Sequence, residues 1–301
     1  MTSSAEFMIP DNSEPVKTDW DTLAEPSEEE KQYNSRELFL RGELESIIDR
    51  RTRDFSAVSD DYSKIFHSAD HPFSKRFDDA FDAVAGSSNG AGKETLEDLF
   101  TYIDMKFPSP YKNPGEIIPD KDDYGRNRLN DAEDDYLRSS MREGGMLSEN
   151  TDEIAKLFTI DGSQNDLHIA ASLRGLSDNL SNYHTELARA IISYTNAPTK
   201  ETRNRLTRTQ SDHESSLSNA LFNIAATFDE SKTTIGRKLF EPTIVLATNL
   251  TRGSEDFFDG IMSYLKFKME NTDDEHRPKD DVDSDVDNSN AFNMQPDVFL
   301  R

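Results

Sequence analysis

Between Ile169 and Tyr194 an apolar or aromatic side chain returns at alternating steps of four and three residues: Ile169, Leu173, Leu176, Leu180, Tyr183, Leu187, Ala190 and Tyr194. That spacing puts all of them on one stripe of an α-helix, the pattern of a coiled-coil seam. The helix is expected to open at Ser163, with Asp166 suited to the positive end of the helix dipole, and to stop at Asn196-Ala197-Pro198. Thr199 can cap a second helix running to about Asp229, with Leu206, Leu217, Leu221, Ile224 and Phe228 on one side and the polar Gln210 and His213 at seam positions. A connection this tight favours an antiparallel hairpin. Residues 163–240 therefore read as a central helical hairpin or coiled coil through which chains oligomerise.

The stripes on either side are shorter. In residues 35–107, Ser35 can cap a helix carrying Leu40, Leu44, Ile47 and Ile48, while Phe73, Phe77 and Phe81 recur every four residues up to Val84. The run GSSNGAG reads as a flexible break before a further apolar face through Leu96, Leu99, Phe100, Ile103 and Phe107. These are expected to be short partner-binding helices, with Leu40, Leu44, Ile47, Phe73, Phe77 and Phe81 as contact residues. Residues 108–162 read as a linker with weak helices: Pro108, Pro110, Pro114 and Pro119 come first, then a stripe from Leu129 to Met141 that Gly144-Gly145 is expected to break. Residues 241–269, with Phe257, Phe258, Ile261, Met262 and Leu265, read as a small helical C-terminal module. The overall expectation is a mainly α protein.

Charge sharpens this division. The chain of 301 residues has a net charge of −25, 34% hydrophobic residues and 31% charged ones. Asp and Glu outnumber Lys and Arg by 37 to 19 in residues 1–162 and by 14 to 6 in 241–301, but stand at 8 to 9 in 163–240. A near-neutral centre thus lies between acidic arms. Residues 1–34 and 270–301 hold too few apolar side chains to offset the ordering entropy, roughly 1–2 kcal/mol per residue, and are expected to be a disordered arm and tail. The acidic balance argues against direct nucleic-acid binding, because each neutralised phosphate needs a Lys or Arg, and points to a basic protein partner. With no cysteine, disulfides and thiol catalysis are excluded. No segment approaches the roughly 18 apolar residues of a membrane span, and the N-terminus has no secretory signal pattern, so an intracellular chain without membrane contact is expected.

Candidate chemistry is sparse. Gly92-Lys93 follows other glycines, but a phosphate loop needs Gly where Ser87 stands and Ser or Thr where Glu94 stands. His67 and His71 have a ligand-like spacing, yet Pro72 follows and no Glu completes a metalloprotease motif. No catalytic residue, cofactor or metal ligand is assigned, and the chain is expected not to be an enzyme. Ser27, Ser211 and Ser284 precede acidic residues in the manner of acid-directed kinase sites, where a phosphate would add about −1.5 to −2 charge.

An acidic N-terminal arm, a central oligomerising coiled coil, a small C-terminal module and no cysteine make an order of parts. It resembles that of the phosphoproteins of non-segmented negative-strand RNA viruses, rhabdovirus-like ones in particular. The resemblance is architectural and carries no residue across. It implies a polymerase cofactor that forms homo-oligomers, keeps RNA-free nucleoprotein soluble and tethers the large RNA polymerase to the nucleoprotein-coated template, in host cytoplasm and virion. The alternatives are an acidic helical scaffolding protein and a cellular adaptor or chaperone.

Overall fold

The computed structural model describes residues 26–68, 74–111, 127–159, 164–230 and 234–272. They form six helices: α1 (Glu28–Ser68), α2 (Ser74–Lys106), α3 (Arg128–Leu157), α4 (Gln164–Asn196), α5 (Lys200–Glu230) and α6 (Thr234–Glu270). No β-strand occurs among the described residues.

Capping sets several of the starts. Ser27 Oγ accepts from the Glu30 N–H at 3.1 Å, so α1 is capped eight residues before Ser35, and Glu28, Glu29 and Glu30 fill the positive first turn. Asn127 Oδ1 accepts from the N–H groups of Leu129 and Asn130 and starts α3. Thr199 and Thr202 cap α5 reciprocally, each backbone N–H donating to the other's hydroxyl at 3.0 and 3.2 Å.

Each helix packs against its neighbours in sequence, and α6 returns to pack on α1, so the up-and-down helices close into a ring. α1, with 41 residues, gives the bundle a length of about 60 Å. Ion pairs cross neighbouring helices around the ring. Lys93 meets Asp49 at 2.7 Å, Arg174 meets Asp152 at 3.8 Å and Arg205 meets Glu186 at 3.1 Å, while Arg142 pairs with Glu94 and Arg50 with Asp256. Exposed pairs of this kind contribute about 0–1 kcal/mol each and serve mainly to hold register.

Two apolar clusters fill the interior. One gathers Leu40, Leu44, Ile48, Leu96, Ile103, Phe107, Tyr136, Leu187, Ile191, Ile261 and Leu265. The other gathers Val58, Tyr62, Ile154, Ile169, Leu173, Leu217, Ile224, Phe228, Leu239 and Leu246.

The hairpin of residues 163–240 is present as α4 and α5, joined at Ala197-Pro198-Thr199, but it is one side of a larger bundle. Its seam is occupied inside the chain: Ile169, Leu173, Leu176, Tyr183 and Leu187 are buried, and Leu180 and Tyr194 are partly buried against the same clusters. A second chain could reach these side chains only by opening the ring.

Two expected breaks are absent. GSSNGAG lies within α2, and Gly144-Gly145 lies within α3, so the short helices of 35–107 and the weak ones of 108–162 are long continuous elements. Isolated glycines cost a helix about 1 kcal/mol each relative to Ala, a penalty that burial of Val84, Ala91 and Leu96, and of Leu147 and Ile154, outweighs. The C-terminal module of 241–269 is the greater part of α6, which runs 37 residues and carries Pro242 within it. Residues 28–34 of the expected arm belong to α1. Residues 1–25 of that arm, the tail beyond Thr272, Phe73 and Ser284 lie outside the described residues, as do the side chains of Phe77 and Phe81.

The two adjacent glycines of α3 have opposite surroundings. A Cβ on Gly144 would sit 3.0 Å from the Leu180 carbonyl oxygen and 3.2 Å from that of Ser181, whereas one on Gly145 would meet nothing within 4 Å. Gly145→Ala should therefore raise stability by about 0.5–1 kcal/mol, and Gly144→Ala should lower it, because α3 and α4 must separate. Urea denaturation of the two variants checks this.

Candidate functional site

The ring is not apolar throughout. At mid-height, between the two apolar clusters, every helix supplies a polar or small residue to the interior. Glu143 of α3, only 4% exposed, lies 3.3 Å from Arg51 Nη2 of α1 and 3.3 Å from His184 Nδ1 of α4. On α2, Gly92 makes the crossing possible: a Cβ there would stand 3.2 Å from both the Arg51 guanidinium and Glu143 Oε1. Burial alone would raise the Glu143 pKa, but His184 and then Arg51 outweigh it and hold the carboxyl at about 2.

The belt continues across α4, α5 and α6. His213 stacks on Tyr183 with ring centroids 3.6 Å apart, and its Nδ1 lies 2.7 Å from Asn179 Oδ1. Tyr183 Oη donates to Gln210 Oε1 at 2.6 Å, and Gln210 Nε2 donates to the Ser254 carbonyl at 3.1 Å and to Glu214 Oε1 at 2.6 Å. Desolvation, and then the positive fields of His184 and Arg51, push the His213 pKa down to about 3. His213, which the sequence places at a seam position, is buried, 5% exposed.

A second ionic group closes one end of the bundle. Lys268 of α6, 1% exposed, lies 2.9 Å from Asp104 of α2 and 3.3 Å from Glu37 of α1. Arg41 meets Glu37 at 2.8 Å and also pairs with Asp104, while its guanidinium rests 4.7 Å from the Phe100 ring centroid. Tyr264 Oη donates to Asp104 Oδ1 at 3.0 Å. Burial pushes Asp104 up, but Lys268 and Arg41 together keep its carboxyl below the usual range. The two carboxylates and two cations of this group neutralise one another.

Both groups are internally paired, and the described residues contain no cluster of three His, Asp or Glu arranged to hold a metal ion. What remains available is the surface. A shallow groove of about 630 Å³ runs between α2 and α3, floored by Ala83, Gly86, Gly90 and Ala91 and edged by Met146, Glu149 and the Arg142–Glu94 pair. Leu38 and Phe39 project from α1, 73% and 52% exposed, with Arg36 5.2 Å from the Phe39 ring.

The partner-binding residues expected on α1 lie elsewhere. Leu40 and Leu44 are 3% and 0% exposed and belong to the core, with Leu44 and Ile47 facing α6 at Gly260, so they are not available to a partner. Their neighbours Leu38 and Phe39, which the stripe excludes, are the apolar side chains α1 presents to solvent; their place off the buried stripe was the available signal. Of the candidate phosphorylation residues, Ser27 caps α1 and Ser211 is exposed on α5.

Charge is distributed unevenly over the ring. Helices α1–α3 carry 25 Asp and Glu against 15 Lys and Arg, whereas α4–α6 carry 13 against 11. Because α1, α2 and α3 are contiguous, one side of the bundle is acidic and the other nearly neutral. No helix among the described residues is long and apolar enough to cross a membrane.

Over its described residues the chain thus forms an all-α, six-helix bundle with a buried polar belt and one acidic side. Compared with protein-family models, curated proteins and solved structures, it matches none.

Both belt shifts weaken the fold in acid. Between about pH 6.5 and 3 the unfolded chain binds a proton at His213 that the folded chain refuses, and below pH 4.5 the same holds for Glu143 down to about 2. Stability should be full above pH 6.5 and fall below it, by up to about 1.4 kcal/mol per pH unit for each proton. His213→Gln should flatten the upper part of that fall, and Glu143→Gln should cost about 3 kcal/mol or more at pH 7 by leaving Arg51 and His184 without their carboxylate. Denaturant midpoints measured between pH 4 and 8 check both.

Proposed function

We propose that the protein acts by binding rather than catalysis, and that its acidic side holds a basic protein. The observation that carries this reading is the one-sided charge, 25 acidic against 15 basic residues on α1–α3. Opposite charge accelerates encounter and rejects polyanions such as nucleic acid, so an acidic helical surface suits a partner that itself binds RNA or DNA. The exposed Leu38 and Phe39 on α1 add apolar contact area to the same side.

In its specific form, the reading is a viral polymerase cofactor. It holds basic nucleoprotein away from RNA and links it to the large polymerase, with its homo-oligomers formed through surfaces other than the α4 seam. Support comes from the charge and from the acidic segments flanking the bundle: residues 1–25 and 273–301 hold 15 Asp and Glu against 4 Lys and Arg.

The test is binding to RNA-free nucleoprotein encoded by the same genome, read by calorimetry. Affinity should fall at least about tenfold as salt rises from about 0.1 to 0.5 M. The triple reversal Asp79→Lys, Glu97→Lys and Asp131→Lys, all at exposed positions of α2 and α3, should weaken it further. Binding indifferent to both changes, or a genome with no nucleoprotein gene beside this one, would sink the viral form.

A further inference from the structure

The outer face of α1 carries Leu38 and Phe39, the two most exposed large apolar side chains among the described residues. Gly42 lies one turn on, and a Cβ there would meet nothing within 4 Å, so the face is open beside them. The exposed charges of the same helix come in blocks of alternating sign. Glu28 and Glu29 are followed by Lys31 and Arg36, and, beyond the apolar pair, Glu43, Glu45 and Asp49 are followed by Arg50 and Arg53. Lys31 pairs with Glu28, Asp49 with Lys93 and Arg50 with Asp256, whereas among the described residues Arg36, Glu43, Glu45 and Arg53 make no ion pair.

That order is its own complement. If a second α1 lies antiparallel on the first with residue 39 opposite residue 40, Arg36 of each copy stands opposite Glu43 of the other, about 5 Å from the midpoint. Glu29 then stands opposite Arg50, Lys31 lies one residue from Asp49, and no exposed charge faces one of its own sign. Arg36 and Glu43 are seven residues apart and so share one edge of the stripe, and a two-fold axis brings that edge onto itself. A parallel pairing in register would instead set every charge against its own copy. The face is also nearly neutral, with 5 exposed acidic residues against 4 basic ones from Glu28 to Arg53, so it repels a second copy little and attracts a basic partner little.

We infer that two copies of this chain pair antiparallel through the outer face of α1, across a two-fold axis beside Phe39 and Leu40. Leu38 and Phe39 of each copy close over Gly42 of the other, and Arg36 pairs with Glu43 at both ends of this apolar centre. The pairing gives the homo-oligomer of the reading above a surface, but it rests on the α1 face alone. It also narrows the acidic surface left to a basic partner to α2 and α3.

The full chain by itself, with no partner added, tests this. Sedimentation equilibrium between about 1 and 200 µM should show a passage to twice the mass of the chain. L38S/F39S, at two exposed positions, should raise the midpoint concentration at least about tenfold. R36E and E43R should each raise it about threefold or more, and R36E/E43R should return it to within about twofold of the parent, a restoration that a folding defect would not give. Because the chain has no cysteine, S46C or S56C, both at exposed positions, takes a single nitroxide. Antiparallel pairing separates the two labels by about 20 Å along the helix at position 46 and about 50 Å at position 56. A monomer throughout, a dimer indifferent to L38S/F39S, no restoration in R36E/E43R, or the same short distance at both positions overturns the inference. A monomer would leave the binding of a basic protein standing, and failure to bind nucleoprotein would leave the dimer standing.

Discussion

The fold depends on the crossing of Arg51 and Glu143 past Gly92. A ring of long amphipathic helices can close on an apolar interior alone, but this one carries a carboxylate, a guanidinium and two imidazoles at mid-height. Each is tolerable only because the others are in place. The pair fixes the vertical register of α1 against α3, and Gly92 and Gly144 supply the two close approaches that let α2 and α4 pass it. With that register set, the ion pairs on the rim fall opposite one another and the apolar clusters above and below are divided between fixed sets of residues.

Polar interiors of this kind contribute more to uniqueness than to net stability. A helix that slid by one turn would leave Glu143 or Gln210 facing leucine, at a cost of several kcal/mol. At the end of the bundle the Glu37–Arg41–Asp104–Lys268 group does the same for α1, α2 and α6. Two pinned levels along a bundle about 60 Å long leave little freedom for sliding. Within both levels the buried charges are paired with one another, and the charge left unbalanced lies on the outer surface.

Ring closure is what makes that surface sided. Helices adjacent in sequence are adjacent in space, so the acidic excess of the first half of the described chain becomes an acidic half of the bundle, and the nearly neutral α4–α6 form the other half. Had the helices paired in another order, the same charges would have been mixed and their field averaged away.

The sequence by itself determined the helical class, the α4–α5 hairpin with its turn at Pro198 and the polar interruptions Gln210 and His213 within an apolar stripe, because all of these follow from spacing along one helix. It did not reveal what the stripes pack against. The seam from Ile169 to Tyr194 has the period of an intermolecular coiled coil, and only the tertiary structure shows α3 and α5 of the same chain already occupying it. Likewise Leu40 and Leu44 are indistinguishable from a docking stripe until α2 and α6 cover them. The glycines of α2 and α3 look like breaks when judged by local propensity, which decides whether a short isolated peptide is helical. In the folded chain the burial of apolar side chains on both sides outweighs propensity, and at Gly92 and Gly144 the missing side chain is the space through which neighbouring groups pass.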